Sequence, residues 1–212
     1  MTIRYKSTIG VTAIALVGVS LLLYARYEAI KTSVIDKRKA EVAAFIQARA
    51  SAMIKPEDFN SQDPLRRSKV FESFFEAIHS PELVRMKVWD RNYTVLWSNL
   101  TELIGQRFPD NHEVKESFEG KVEFEIDRPK EEHVFERAFL ELAEIYVPFP
   151  DGDGKIVGVI EIYQPAFSLH QEIRGRFLKS AIPIVIIASL GCFAAALVPR
   201  FSNRWAQKKG QK

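Results

Sequence analysis

The sequence predicts an α+β fold: an antiparallel sheet with helices on one side, held between two membrane-spanning helices. Three observations predict it. Two stretches of 19 uncharged, mostly apolar residues, 7–25 and 180–198, lie near the ends of the 212-residue chain. Between them the hydrophobic period is helical up to Pro81 and alternating after it. The alternating part carries two turn signals, Asp90-Arg91-Asn92 and "DGDG" at 151–154, each between runs that read as strands.

A bilayer core of ~30 Å needs about 20 apolar residues at a rise of about 1.5 Å each, so each stretch is long enough to cross once. The first exceeds the roughly 7–15-residue core of a cleaved signal peptide. Leu23-Tyr24-Ala25 also lacks the small residue such a cleavage site needs, so the stretch reads as an uncleaved anchor. Basic residues set the orientation. Arg4 and Lys6 give +2 before the first stretch, and five Lys and Arg give +5 after the second. A chain of +3 overall then leaves −4 for residues 26–179.

Both termini are therefore expected in the cytoplasm of a bacterial inner membrane. The expected organisation is residues 1–25 as N-terminus and first span, 26–179 as an extracytoplasmic domain, 180–198 as second span, and 199–212 as a short basic tail. Basic tails beside a membrane are explained by anionic lipid, so they point to no nucleic-acid partner. Cys192, the only cysteine, lies in the second span, which leaves the domain to rest on its core without a disulfide. Ala188, Cys192 and Ala196 recur every four residues. That spacing lets membrane helices approach closely and is the expected packing face of a homodimer.

Residues 26–53 are good helix formers without Gly or Pro, so a helix is expected to continue out of the first span as a stalk, with Ile30, Val34, Glu41 and Phe45 near one stripe. "KPEDFNSQDP" breaks the pattern. Asp63 before Pro64 is a good cap and first-turn pair for a helix over 65–78, expected to bury Val70, Phe74, Phe75 and Ile78. Strands are expected over 84–90, 94–98, 122–126, 140–148 and 156–164. A short helix over 112–118, capped by Asp110 or Asn111, ends at Gly120. Residues 128–137 read as a charged loop, and a helix over 169–179 leads into the second span.

The segments "VWDRNYTVLWSNLTELIGQRFPD" and "EIYVPFPDGDGKIVGVIEIYQP" resemble the D-x-x-G-x-V-x-x-S…I-G segment and the closing hairpin of extracytoplasmic PAS-like domains, called PDC or Cache. The resemblance covers roughly residues 26–179. It implies a PAS-like sheet behind a long N-terminal helix, as in bacterial sensor kinases, diguanylate cyclases and chemoreceptors. Asn92 stands where the family often has Gly, and Asn tolerates positive φ, so the turn is expected to survive there. Family members usually continue from the second span into a linker, a kinase or a cyclase. Fourteen residues follow Val198, so the expectation is a non-enzyme that signals through a separate cytoplasmic output protein.

Alternation assigns the faces. Val84, Met86 and Val88 point toward the long helix, and Arg85, Lys87 and Trp89 point away. Extended to the other strands, one face is expected to collect Lys87, Trp89, Trp97, Glu144, Tyr146, Glu161 and Tyr163. Aromatic walls with a few polar groups are how small-ligand pockets are built, and the resemblance implies a ligand at this place. Lys87 would suit a carboxylate, and Glu144 or Glu161 an amine, as in an amino acid. The same residues also fit cross-strand charge pairs covered by aromatics. In that case the chain reads as a membrane-anchored docking protein with no small ligand.

His112 and His133 have acidic neighbours but no metal-ligand spacing, and "DGDG" lacks the rest of a calcium loop. No nucleophile elbow, phosphate loop or dinucleotide fingerprint is present, and no cofactor or metal is expected.

Overall fold

The structure, a computed structural model, describes residues 2–127 and 141–209. The charged stretch 128–137, His133 and the expected first residues of the fourth strand lie outside the described residues.

The chain divides into two compact units, one of residues up to 34 and from 171 onward, the other Ile35–His170. The first unit is helical. It holds the first part of α1 (Thr2–Met53) and most of α5 (Phe167–Lys209), both long and apolar enough to cross a membrane. Ile14 and Ile187 are more than 70 % exposed on these helices, which is costly in water and natural in lipid. Tyr27 of α1 meets Phe177 of α5 edge to face at 5.5 Å. Ala188 and Cys192 line a cavity of about 650 Å³ with Ala15, Leu16 and Val19 of α1. Of Ala196 only its place in α5 is described. Pro183 lies inside α5, and without an N–H it leaves the carbonyl of Lys179 no in-helix donor.

The second unit has the expected α+β arrangement, helices against an antiparallel sheet. After α1 come α2 (Pro56–Phe59), α3 (Pro64–Ile78), β1 (Arg85–Trp89), β2 (Val95–Ser98), a 3₁₀ turn (Thr101–Leu103), α4 (His112–Phe118), β3 (Glu123–Asp127), β4 (Leu142–Pro150) and β5 (Ile156–Pro165). The five strands are antiparallel in the order β2-β1-β5-β4-β3, so the first and last strands pair at the centre.

Local chemistry explains the boundaries. The Asp63 carboxylate accepts from the backbone N–H of Leu65 and Arg66 at 3.0 and 3.1 Å, with Pro64 at the first position of α3. Asn111 does the same for α4 through Val114 N–H at 2.8 Å. The "DGDG" segment is a turn: Asp151 accepts from the N–H of Asp153 and Lys155 at 3.0 and 2.9 Å, and Gly154 takes φ +81°. In the first hairpin Asp90 plays the same part toward Asn92 and Thr94. The positive φ (+61°) falls on Tyr93, not on Asn92 as the sequence suggested. Its ring packs edge to face on Phe118 at 6.2 Å, which offsets the strain of a bulky residue in that conformation.

The main core lies between the helices and one sheet face. Ala43, Ile46 and Ala50 of α1, Phe59, and Phe71, Phe74 and Ile78 of α3 meet Met86, Val88, Trp97, Ile145, Val147, Ile160 and Ile162. Full burial of one such side chain contributes about 1.5–3 kcal/mol. Within this unit the buried residues of α1 are Ala43, Ile46 and Ala50, and Phe45, expected on the stripe, is 48 % exposed; Val34, also expected on it, is buried at the end of the first unit. On α3 the fully buried residues are Phe71, Phe74 and Ile78, with Val70 and Phe75 at the margin. The segment that breaks the helical pattern contains α2, whose Phe59 ring lies flat against Gly158. A Cβ at 158 would come within 2.0 Å of that ring, so only glycine fits.

Candidate functional site

Strand register builds the opposite sheet face. Across the strands, Ser98, Lys87, Glu161, Tyr146 and Glu123 stand side by side, and so do Arg85, Tyr163, Glu144 and Glu125. A third line, Val95, Trp89 and Val159, is apolar and packs with Val114 and Tyr146 under α4. The polar lines are buried except at their β3 end, where Glu123 and Glu125 are partly exposed. Lys87 and Glu161 side chains are 8 % and 0 % exposed, and Arg85 and Glu144 are buried too.

The charges in these lines are matched by contacts. Lys87 Nζ lies 3.4 Å from Glu161 Oε1 and donates to the Tyr163 hydroxyl. It also stands over two rings, 4.6 Å from the centre of Tyr163 and 5.6 Å from that of Trp89. The other carboxylate oxygen of Glu161 accepts from the Trp89 indole N–H at 2.6 Å. Tyr146 donates its hydroxyl to Glu144 Oε2 at 2.8 Å. Burial, and then the negative charge of Glu161 and Glu144, hold the phenols of Tyr146 and Tyr163 well above their ordinary value. Both therefore stay neutral hydrogen-bond donors. A buried ion pair gains little over apolar residues of the same shape, but stripping one partner from it costs about 3–5 kcal/mol. The face is held by mutual compensation.

Six of the seven residues expected on this face are there. Trp97 is not. A β-bulge between Val88 and Trp89 lets Trp89 pair with Val95 and Val88 with Trp97. The extra residue reverses the parity of β2. Trp97 therefore sits in the helix-side core, 5.6 Å from the Phe75 ring, and Val95 takes the place beside Trp89. Four polar residues of the face were not among the candidates: Arg85, which alternation placed there and which is opposite Tyr163, Ser98 opposite Lys87, and Glu123 and Glu125 opposite Tyr146 and Glu144. The alternation of Glu123, Glu125 and Asp127 in β3 was the available signal.

No protein-family model matches the chain, and no curated protein matches it. Among solved structures it is similar to the sensor domain of Escherichia coli DcuS, with a TM-score of 0.46 and 15 % identity over 69 % of this chain and 98 % of that one. It is similar to the sensory domain of the Campylobacter jejuni chemoreceptor Tlp3 with isoleucine bound (TM-score 0.45, 11 % identity, 73 % and 63 % covered). A third is an extracellular ligand binding receptor from Desulfohalobium retbaense (0.44, 14 %, 72 % and 27 %). The likeness is one of fold. The chain spans nearly all of the first of these and less than two thirds of the other two.

Proposed function

We propose that this chain is a membrane-anchored sensor module. Its sheet domain lies outside the cytoplasm and takes a small zwitterionic, amino-acid-like ligand at the charged sheet face. The observation that carries the reading is the pairing of opposite charges, Lys87 and Glu161, inside a ring of aromatic side chains. Opening that pair for a lone amine or a lone carboxylate strands one buried charge. A zwitterion brings a partner for each, so it alone enters without leaving a charge uncompensated.

Binding passes inward as a shift of α5 against α1, to a kinase- or cyclase-type output. This requires two helix arrangements of different ligand affinity. The alternative is a docking protein with no small ligand, and the cross-strand pair of Lys87 and Glu161 covered by aromatics supports that reading as well. The two readings part on whether an amino acid opens that pair.

The test is thermal unfolding of the full chain in lipid nanodiscs against a panel of L-amino acids, monocarboxylates and monoamines. Sensor function at this face predicts a saturable rise in midpoint with one or more amino acids and none with the single-charge compounds. A midpoint unmoved by every amino acid, in well-folded protein, removes the reading.

A further inference from the structure

We infer that Lys87 is a tethered stand-in for the ligand's ammonium group. The inference rests on the proposed reading of the face and names how the face is kept closed and what it selects.

A lysine on a sheet edge or sheet face normally runs its long stem outward and leaves the ammonium in water. Lys87 does the reverse. Its Nζ is drawn inward onto the Glu161 carboxylate, the Tyr163 hydroxyl and the faces of Tyr163 and Trp89, with the residue 7 % exposed. A carboxylate with aromatic faces around it is the chemistry that recognises organic ammonium. The indole N–H of Trp89 donates to the other oxygen of that carboxylate at 2.6 Å, a hold that does not pass through Lys87. The cage is thus built from parts independent of its occupant, and its present occupant is the chain's own side chain.

Two consequences follow. An external ammonium enters only as Lys87 leaves, and it must bring an anion to accompany the displaced lysine. The native face therefore answers to zwitterions and is closed to simple amines. Removing the stem beyond Cβ opens a space for three carbons and a nitrogen, the shape of n-propylammonium. Lys87→Ala then converts a zwitterion site into an amine site. The mirror change, Glu161→Ala, removes a methylene and a carboxylate and leaves the shape of acetate beside Lys87.

The experiment is thermal unfolding of the full chain and of both variants in nanodiscs at constant ionic strength. The additives are n-propylammonium chloride, n-propanol, sodium acetate or sodium chloride. The expected result is a lowered midpoint for Lys87→Ala that n-propylammonium raises saturably, by about 3 °C or more, with n-propanol and acetate inert. The native chain should ignore n-propylammonium. If Lys87→Ala does not fold unaided, the reading becomes the yield of folded protein recovered with n-propylammonium against sodium chloride, and acetate with Glu161→Ala is read the same way. Failure of n-propylammonium on Lys87→Ala together with failure of acetate on Glu161→Ala, or an equal response of the native chain, overturns the inference. A native chain that answers amino acids while neither variant is rescued keeps the sensor reading and removes the stand-in. Rescue of the variants, with a native chain blind to amino acids, does the opposite.

Discussion

Lys87 and Glu161 hold opposite charges where water does not reach, and this makes their substitution effects strongly coupled. Lys87→Met leaves the Glu161 carboxylate without its cation and should cost about 3–5 kcal/mol in denaturant unfolding. Lys87→Met with Glu161→Gln removes both charges and keeps an acceptor for the Trp89 indole, so it should recover most of that loss. Additive costs in the double variant would mean the two side chains act separately. The two buried tyrosines give a pH signature. Their folded-state pKa values are raised, so the stability they confer is whole below the ordinary phenol value of 10.0 and is lost as pH rises beyond it. Of the six tyrosines, Tyr146 and Tyr163 should stay silent in absorbance titration until the domain unfolds in alkali. Tyr163→Phe should flatten the fall of the unfolding midpoint above that pH. Full tyrosine titration in the folded protein would contradict the burial of these hydroxyls.

Elements show where alternation and capping suffice and where they fail. The strands, both hairpin turns and the caps of α3 and α4 were legible, because each rests on residues within four positions of one another. The parity of β2 was not legible. A bulge inserts one residue without any compositional mark, so Trp97 was read onto the wrong face while its neighbours on β1, β4 and β5 were read correctly. The helix α2 was missed because four residues are too few to display a period. Its signal is the Asp58 carboxylate, buried against the N–H of Lys55 at 2.8 Å. The stripe of α1 was read correctly at Val34 and missed beyond it, because two of its four buried residues, among those described, are alanines, which weigh little beside Phe45. Burial of the charged face was also beyond reach, since alternation tells which side a residue takes and not what covers it. The seat of Phe59 on Gly158 yields a prediction for this scale. Gly158→Ala forces the ring aside and should cost about 1–3 kcal/mol. Phe59→Leu in the same chain should relieve part of that cost, and no relief would show that the ring is not what the new methyl meets.

For the whole molecule the first question is which way it faces. With Cys192 replaced by Ser and Lys155, exposed in the β4–β5 turn, replaced by Cys, a membrane-impermeant maleimide should label intact cells. Labelling only after the membrane is opened would invert the proposed orientation. The second question is how a displacement travels, and the two prolines in α5 bear on it. α1 runs from Thr2 to Met53 with no proline, so every peptide in it can share in the ladder of hydrogen bonds. α5 has Pro183 and Pro199, which offer no N–H to the carbonyls of Lys179 and Ala195, and at such places a helix bends at low cost. One helix is a rod and the other has two joints. A push along α1 arrives whole at its far end, whereas the same push along α5 is divided between translation and bending at two prolines, and Pro183→Ala with Pro199→Ala would make the two alike.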